Sequence, residues 1–387
     1  MMDFAESELH HDIRASVRAI AEKYGHAYYQ RTAAEGSRSE ELWNEVAEAG
    51  FVGVNLPEEY GGGGLGISEL AIVGEELAAH GCPLLLLVVS PAICGTVISA
   101  YGTSEQKQRW LPDLCSGSAK MAFAITEPEA GSNSHQLATR ASREGEEWVL
   151  NGTKHYISGV DESHEILVVA RTGRTDSGRG RLSLFVVPTD AAGLSMHPIP
   201  MQVNAPEKQF TLTFEDVRLP ADRLLGEEGE GLRQIFVGLN PERIMTAAHA
   251  CGLARYALDK AARYAQERVV WGVPIGAHQG VAHPLAEASI HRDLAWLMTQ
   301  RAAWLVDAGM DPRESGVAAN SAKFAAADAA GEALDRAIQV HGGHGLSTEF
   351  GLADLWGFVR LHKTAPVSRE MVLNHIAQQV LHLPRSY

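Results

Sequence analysis

The segment Ala124-Ile125-Thr126-Glu127-Pro128-Glu129-Ala130-Gly131-Ser132-Asn133 stands at a change of texture in the chain, and that change decides the fold. On its N-terminal side, from Glu6 to about Ser116, apolar residues recur at three- and four-residue steps, most clearly over Glu40–Ala49 and Ile67–Ala79. That period predicts amphipathic helices. Between these two stretches lies Tyr60-Gly61-Gly62-Gly63-Gly64, a breaker that predicts a loop. On the C-terminal side, as far as about Leu225, Trp148-Val149-Leu150, Ile166–Ala170 and Leu182–Val187 are short β-rich runs bounded by turn residues. Phe210-Thr211-Leu212-Thr213-Phe214 alternates apolar and polar at period two, as a half-buried strand does. The charged Gly173–Gly180 segment predicts an exposed hairpin or loop. From about Gly229 the helical period returns in Ala-rich stretches at 240–271, 280–308 and 312–341. No proline falls between Glu242 and Val273, so one long helix is expected there, with Gly252 tolerated at modest cost. Helices, then a small β unit, then a helical bundle is the order of an α+β fold with segregated layers. No GxGxxG opens a helix after a strand, so a Rossmann nucleotide site has no support.

At 387 residues the chain is too long for one core and predicts two or three packed units. A formal net charge of -15 argues against a nucleic-acid or anionic-membrane surface, since both need a basic face. A few local Arg or Lys residues can still hold a phosphate. Cys82, Cys94, Cys115 and Cys251 form no CxxC pair and no metal-type spacing, which predicts reduced, buried thiols. The 17 histidines show no HExxH or other ligand pattern, so no metal site is expected. His155, His283 and His291 read as surface or hydrogen-bonded core groups. The beginning, MMDFAESELHHDIR, is acidic where a secretory signal needs a basic and then an apolar run. The longest apolar stretch, Pro83 to Ser90, is too short to span a bilayer. A cytoplasmic enzyme is the expectation.

Taken alone, Thr126–Asn133 is either an ordinary turn or a set of backbone donors that Gly131 lets approach a bound polar group. Its context supplies more. The segment resembles the flavin-contacting TEPxAGSD string of acyl-CoA dehydrogenases. Asn151-Gly152-Thr153-Lys154-His155-Tyr156-Ile157-Ser158-Gly159 is similar to that family's NGxKxWITN. Phe214–Pro220 followed by Leu225-Gly226 resembles FxDVxVPxxxxLG, Glu267–Gly272 with Gln279 resembles ERxxFGxxxxxxQ, and Gln339–Gly345 resembles QxxGGxG. The five strings occur in the family's order. The resemblance implies an N-terminal helical domain (1–118), a small central β-barrel or sandwich domain (119–228) and a C-terminal four-helix bundle domain (229–387). It further implies FAD as cofactor, an acyl-CoA substrate, an electron-transfer flavoprotein as acceptor and a homotetramer. Thr126 and Ser158 would hydrogen-bond the isoalloxazine, and Tyr156 would pack on it. Ser132 would lie near the pyrophosphate and the thioester, with Asn133 in place of the usual Asp. Gly342 and Gly343 belong to the same cofactor set. Arg268, Trp271 and Gln279 would contact the FAD of a neighbouring subunit.

Geometry bears on that last expectation. Glu242 and Arg268 are 26 residues apart, roughly 39 Å on one helix at ~1.5 Å per residue. One FAD is too short for both, so two residues that both touch cofactor must touch different molecules.

The chemistry the resemblance implies needs a carboxylate to take the substrate's α-proton. Most members of the family carry it in a C-terminal YEGT segment. Anchored on Gly342-Gly343 and on Ser368-Arg369-Glu370, the matching stretch is Thr364-Ala365-Pro366-Val367, where Pro366 cannot act as a base. A minority, including isovaleryl-CoA and long-chain acyl-CoA dehydrogenases, carry the base in an ER pair on the long helix. Here that pair is Glu242-Arg243, after Pro241, which is pre-set for a helix start. Without that context Glu242 would read as a solvated first-turn carboxylate favoured by the helix dipole. Arg243 is expected to position the carboxylate or the loop facing it, at the substrate. Pro366 also lacks an N–H for the thioester carbonyl, so Ala365 or Val367 would have to donate, or the loop is displaced by a residue, or the chemistry is altered. Two other readings remain: a flavin monooxygenase or nitroalkane oxidase on the same fold, and a non-catalytic FAD-bound scaffold. Ser132 lacks a GxSxG elbow, which disfavours a hydrolase.

Overall fold

The helical period of the first third is realised as α1 (Glu8–Glu35), α2 (Glu40–Glu48), α3 (Ile67–Ala79), α4 (Leu85–Leu87), α5 (Thr96–Tyr101) and α6 (Ser104–Ser116). This is a computed structural model that describes residues 6–176 and 178–385. Residues 1–5, on which part of the leader reading rests, and Ser177 of the charged turn lie outside the described residues. Helix α6 starts where a capping box starts it: Gln106 N donates to Thr103 Oγ1 and Thr103 N to Gln106 Oε1. The apolar run 83–90 supplies α4 and enters a π-helical turn, Val88–Gly95, with Pro91 inside it and every residue buried. Among the described residues no helix is long and apolar enough to cross a membrane.

The β-rich runs form β1 (Met121–Ala124), β2 (Arg140–Glu144), β3 (Glu147–Ser158), β4 (Glu165–Arg174), β5 (Gly180–Pro188), β6 (Leu194–Ile199), β7 (Gln209–Pro220) and β8 (Leu224–Leu225). They make one sheet in the order β6-β7-β3-β2-β4-β5-β8, with β1 paired in parallel to β4. The alternation at 210–214 turns Phe210, Leu212 and Phe214 inward, as period two requires. Trp148 of β3 meets Phe185 of β5 edge-on at 5.2 Å although β2 and β4 separate them in the sheet, so the sheet folds back over its own core. The charged 173–180 stretch joins β4 to β5 as an antiparallel turn.

The last third is α7 (Gly231–Glu267), a small hairpin of β9 (Val269–Val270) and β10 (Val273–Pro274), then α8 (Gln279–Asp307), α9 (Pro312–His341), α10 (Trp356–Leu361) and α11 (Arg369–Gln379). The fold is thus α+β, with helical units on either side of a β unit in the sequence. Two expectations for α7 need correction. It begins ten residues before Pro241, which sits buried inside it, so Glu242 belongs to the helix interior and not to its first turn. It ends at Glu267, because Trp271 and Gly272 take φ of 51° and 82° and turn the chain into the hairpin. Gly252 is more than tolerated. A Cβ there would lie 2.2 Å from the Glu75 carbonyl oxygen, so glycine is what lets α3 and α7 approach. The same contact is locked by a buried network: Arg14, Arg255 and Arg292 all reach Glu75, and Arg14, Arg18 and Arg255 reach Glu76. These pairs tie α1, α3, α7 and α8 together.

Candidate functional site

The site grows from two strands and one helix. Beyond β1 the chain runs through Thr126 to a tight turn in which Glu127 and Ala130 exchange backbone hydrogen bonds at 3.1 and 3.2 Å. The Thr126 carbonyl accepts from His155 N at 2.9 Å, which lays the Thr126–Asn133 segment against the end of β3. Beneath them Lys154 is fully buried and donates from Nζ to Glu127 Oε1 and to the Ile125 carbonyl, both at 2.9 Å. Burial pushes the Lys154 ammonium down to about 8, against the pull of Glu127. Burial alone would raise Glu127, but Lys154 and donors from Thr139 and Ala138 hold its carboxyl below the ordinary value. The sequence reading passed over this pair, although Glu127 and Lys154 lie in the two quoted strings. A buried pair needs both partners, so it fixes the two strings to each other.

Above this anchor, Tyr156 is 54% exposed and sits at φ 58°, a conformation that bulky residues rarely adopt. Ser158 donates to Gln209 Oε1 at 3.0 Å. Gly131, Ser132 and Asn133 are exposed. His155 bonds Thr211 Oγ1 through Nδ1 at 2.7 Å, and His291 faces Glu332 at 2.6 Å, as ordinary hydrogen-bonded groups.

Glu242 lies in α7, which packs against the π-helical turn that carries Cys94. The Cys94 thiol donates to the Ala122 carbonyl of β1 at 3.6 Å, and burial, with the Glu242 charge, pushes that thiol up. The carboxylate keeps part of its surface open but is enclosed by protein on every side, as a group at the bottom of a recess is. Burial pushes it up to about 7, against Arg243 and Lys323. The protein packed around the carboxylate, more than its residual exposed area, governs that shift. Arg243 donates from Nη1 to the Leu239 carbonyl at 2.7 Å, and its buried Nε has no partner. Lys323 of α9 is buried, donates to the Val367 carbonyl at 2.5 Å, and is pushed down to about 8 by burial and by Arg243.

The 362–368 loop behaves differently from its sequence reading. Its inward residue is His362, which continues the buried face of Phe358 and Val359, while Pro366 is only half-buried. The N–H groups of His362, Lys363, Thr364 and Ala365 all bond carbonyls of the preceding turn, so Ala365 is not a free donor. The burial of His362 was not read from the sequence, because the loop was anchored on neighbouring motifs and not on the period of the helix before it.

The remaining expected residues form a second group at the far end of α7. Gly342 and Gly343 follow His341, whose ring stacks on Tyr264 of α7 at 4.3 Å. The Arg268 carbonyl accepts from Ile275 N at 2.8 Å, closing the hairpin that carries Trp271. Trp271 is 89% exposed, and Arg268, Gln279, Gly342 and Gly343 are exposed too. Of the eleven expected residues, Thr126, Ser132, Tyr156 and Ser158 lie in or beside the β unit, Glu242 and Arg243 lie within α7, and Arg268, Trp271, Gln279, Gly342 and Gly343 lie around the C-terminal end of α7.

Comparison with known proteins covers most of the chain. Family models described as acyl-CoA dehydrogenase N-terminal, middle and C-terminal domain match residues 7–118, 122–217 and 229–381. The acyl-CoA dehydrogenase FadE12 of Mycobacterium tuberculosis (strain H37Rv) is 53% identical over 384 residues, which are 99% of this chain and 99% of that protein. The structure of butyryl-CoA dehydrogenase from Megasphaera elsdenii superimposes with a TM-score of 0.92 at 27% identity, covering 98% of this chain and 100% of that one. Glutaryl-CoA dehydrogenase from Mycobacterium smegmatis, solved in complex with FADH2, gives 0.90 at 26% identity, covering 99% and 96%.

Proposed function

Because the chain belongs to the acyl-CoA dehydrogenase family of oxidoreductases, we propose that it removes the α-proton and β-hydrogen of an acyl-CoA thioester to give the trans-2-enoyl-CoA, with Glu242 as the base and FAD as the acceptor. The observation that carries this reading is the Glu242 carboxylate itself: recessed in the helix interior, faced by two cations, and held near pH 7 by burial. A base with that acidity is half ionised near neutrality and can take a weakly acidic proton without being a permanent charge in the core.

The residues present suit a flavin. A Cβ added at Gly131, Gly342 or Gly343 would meet nothing within 4 Å, so backbone is open to a ligand at all three. Tyr156 and Trp271, the two expected aromatic contacts, hold strained positive-φ positions and expose their rings. FAD, when bound, takes the β-hydrogen as hydride at N5. The chain's own residues do the rest. Thr126 and Ser158 offer hydroxyls to the ring system, and Ser132 offers one near the pyrophosphate and the thioester. Arg243 and Lys323 keep Glu242 from rising further and so keep it usable as a base. With Ala365 engaged, Val367 is the candidate loop donor to the thioester carbonyl, and Lys323 pins its peptide from the carbonyl side.

Arg268, Trp271, Gln279, Gly342 and Gly343 serve the FAD of a second subunit. The length of α7 and the exposure of Trp271 support this, as does an apolar stripe on α8 made by Ile290, Leu294, Leu297 and Trp304. A homotetramer, a cytoplasmic location and reoxidation by an electron-transfer flavoprotein complete the proposal. The test is anaerobic addition of acyl-CoA thioesters to purified flavoprotein. Bleaching of the flavin is expected. Reduction only by an external reduced flavin, followed by oxygen uptake, would replace the dehydrogenase with a monooxygenase. A stable partner and no turnover of any thioester would leave the scaffold reading.

A further inference from the structure

The Ser158 hydroxyl has one proton, and a neighbouring strand already holds it. Ser158 donates to Gln209 Oε1 at 3.0 Å across the β3–β7 pair, in which the two residues stand directly opposite. A hydroxyl is one donor and two acceptor lone pairs, so what Ser158 keeps for a ligand is acceptor capacity alone. Thr126 differs, because its Oγ1 has no hydrogen-bond partner among the described residues and its proton stays available. The Thr126 carbonyl accepts from His155 N at 2.9 Å, which brings Thr126 to the stretch of β3 that carries Tyr156 and Ser158. That end of β3 therefore offers a ligand one donor hydroxyl and one acceptor hydroxyl.

Gln209 is built into the sheet. It opens β7 and pairs with Ser158 on one side and with Ile199 of β6 on the other. The adjacent pair, Ile157 with Phe210, is buried in the core, so by period two Ser158 and Gln209 share the opposite, half-buried face. The two residues before Gln209 are fixed as well. The Lys208 carbonyl accepts from Gly159 N at 2.9 Å, and the buried Glu207 accepts from Leu85 N at 3.0 Å through Oε1. These contacts hold the backbone from which the Gln209 side chain reaches Ser158.

We propose that Gln209 is a positioning residue for the flavin: by holding the Ser158 proton it makes that hydroxyl an acceptor towards N5 of the isoalloxazine and so favours the reduced cofactor. This rests on the dehydrogenase reading, which places Ser158 at the ring system, and deepens it. Two-electron reduction adds a proton at N5 and turns that atom from hydrogen-bond acceptor into donor. The ring carbonyls stay acceptors and N3–H stays a donor in both states. An acceptor hydroxyl at N5 therefore gains a bond only on reduction, whereas a donor hydroxyl there would lose one. The Ser158–Gln209 pair thus acts in the direction in which a substrate delivers hydride to N5.

The test is an equilibrium titration of the FAD-loaded protein against a reference dye, both reduced slowly by xanthine and xanthine oxidase without oxygen. Gln209→Leu frees the Ser158 proton, and at a given dye potential the ratio of reduced to oxidised flavin should fall by about tenfold, ~30 mV for a two-electron couple. Ser158→Ala removes the acceptor without supplying a donor, so its ratio should fall by only about threefold. Gln209→Leu added to Ser158→Ala should change nothing further, because Gln209 acts through that hydroxyl. Flavin content and circular dichroism confirm folding, and Ser158→Ala carries the test by itself should Gln209→Leu fail to fold. An unchanged ratio in Gln209→Leu or in Ser158→Ala overturns the proposal. So does a rise in Gln209→Leu, which would show the amide turned with Nε2 towards Ser158, or a tenfold fall that persists when Ser158 is already replaced. The dehydrogenase reading fails separately, when acyl-CoA leaves the wild-type flavin oxidised, a step the dye titration does not use.

Discussion

About three turns into α7 a carboxylate is enclosed by protein and faced by two cations, and just past the C-terminal end of the helix an indole stands almost wholly in water. The two ends differ in what they lack. The Glu242 end is complete in charge and incomplete in hydrogen bonds, with unpartnered nitrogens on Arg243, His249 and His362. The Trp271 end has an aromatic ring held at φ 51°, met edge-on only by His278 among the described rings and otherwise exposed. On the proposed reading, one rigid helix joins a buried stretch that serves the substrate to an exposed end that serves the FAD of a second subunit.

The largest effect expected from breaking this contrast is at the buried end. Arg243→Ala removes a buried cation beside Glu242 and the donor to Leu239, so urea unfolding should show a loss on the order of 3 kcal/mol. Because Arg243 pulls the Glu242 carboxyl down, the midpoint of the pH profile for flavin reduction should move upward. An unchanged midpoint would mean that the guanidinium is not felt at the base.

Trp271→Ala should act in the opposite sense. At 89% exposure its loss should change the folding of one protomer by no more than about 0.5 kcal/mol. Retention of flavin and of the oligomer should weaken by about 2 kcal/mol, the scale of a truncated aromatic anchor at an interface. Sedimentation at falling protein concentration, with flavin absorbance followed together with mass, separates the two.

The smallest effect concerns stability alone. The Glu242 carboxyl is raised in the folded state, so its favourable contribution is full below the unfolded value and is lost as pH rises through about 7. Glu242→Gln should therefore match the wild type in stability at pH 4 and exceed it at pH 8, by on the order of 1 kcal/mol once the residual opening to solvent is allowed for. A variant that is less stable at pH 8 would show that the carboxylate is not a strained buried charge.

Much of this arrangement was legible in the residues. The helix and strand periods marked the three regions, the alternation at Phe210–Phe214 marked its inward face, and the ER pair marked the recessed carboxylate. What escaped was set by contacts remote in sequence. Pro241 signals a helix start by its missing N–H, yet the turns before it had enough packing to carry α7 through. Gly252 looks like a mild defect until the Glu75 carbonyl is found where its Cβ would be. Lys154 and Glu127 each resemble surface charges until β3 buries one against the other. The loop around Pro366 was anchored on motifs to either side of it, whereas its inward residue, His362, is fixed by the helix directly before it, α10.

The most direct test of the account is single-turnover flavin reduction by an acyl-CoA, followed anaerobically across pH 5 to 9 in wild type and in Glu242→Gln. The wild-type rate should rise with pH through a midpoint near 7, where the Glu242 carboxyl loses its proton. The variant should keep its flavin and be slower by about three orders of magnitude or more, with that rise abolished. A variant that reduces its flavin at the wild-type rate, with the same midpoint, would contradict the assignment of Glu242 as the base.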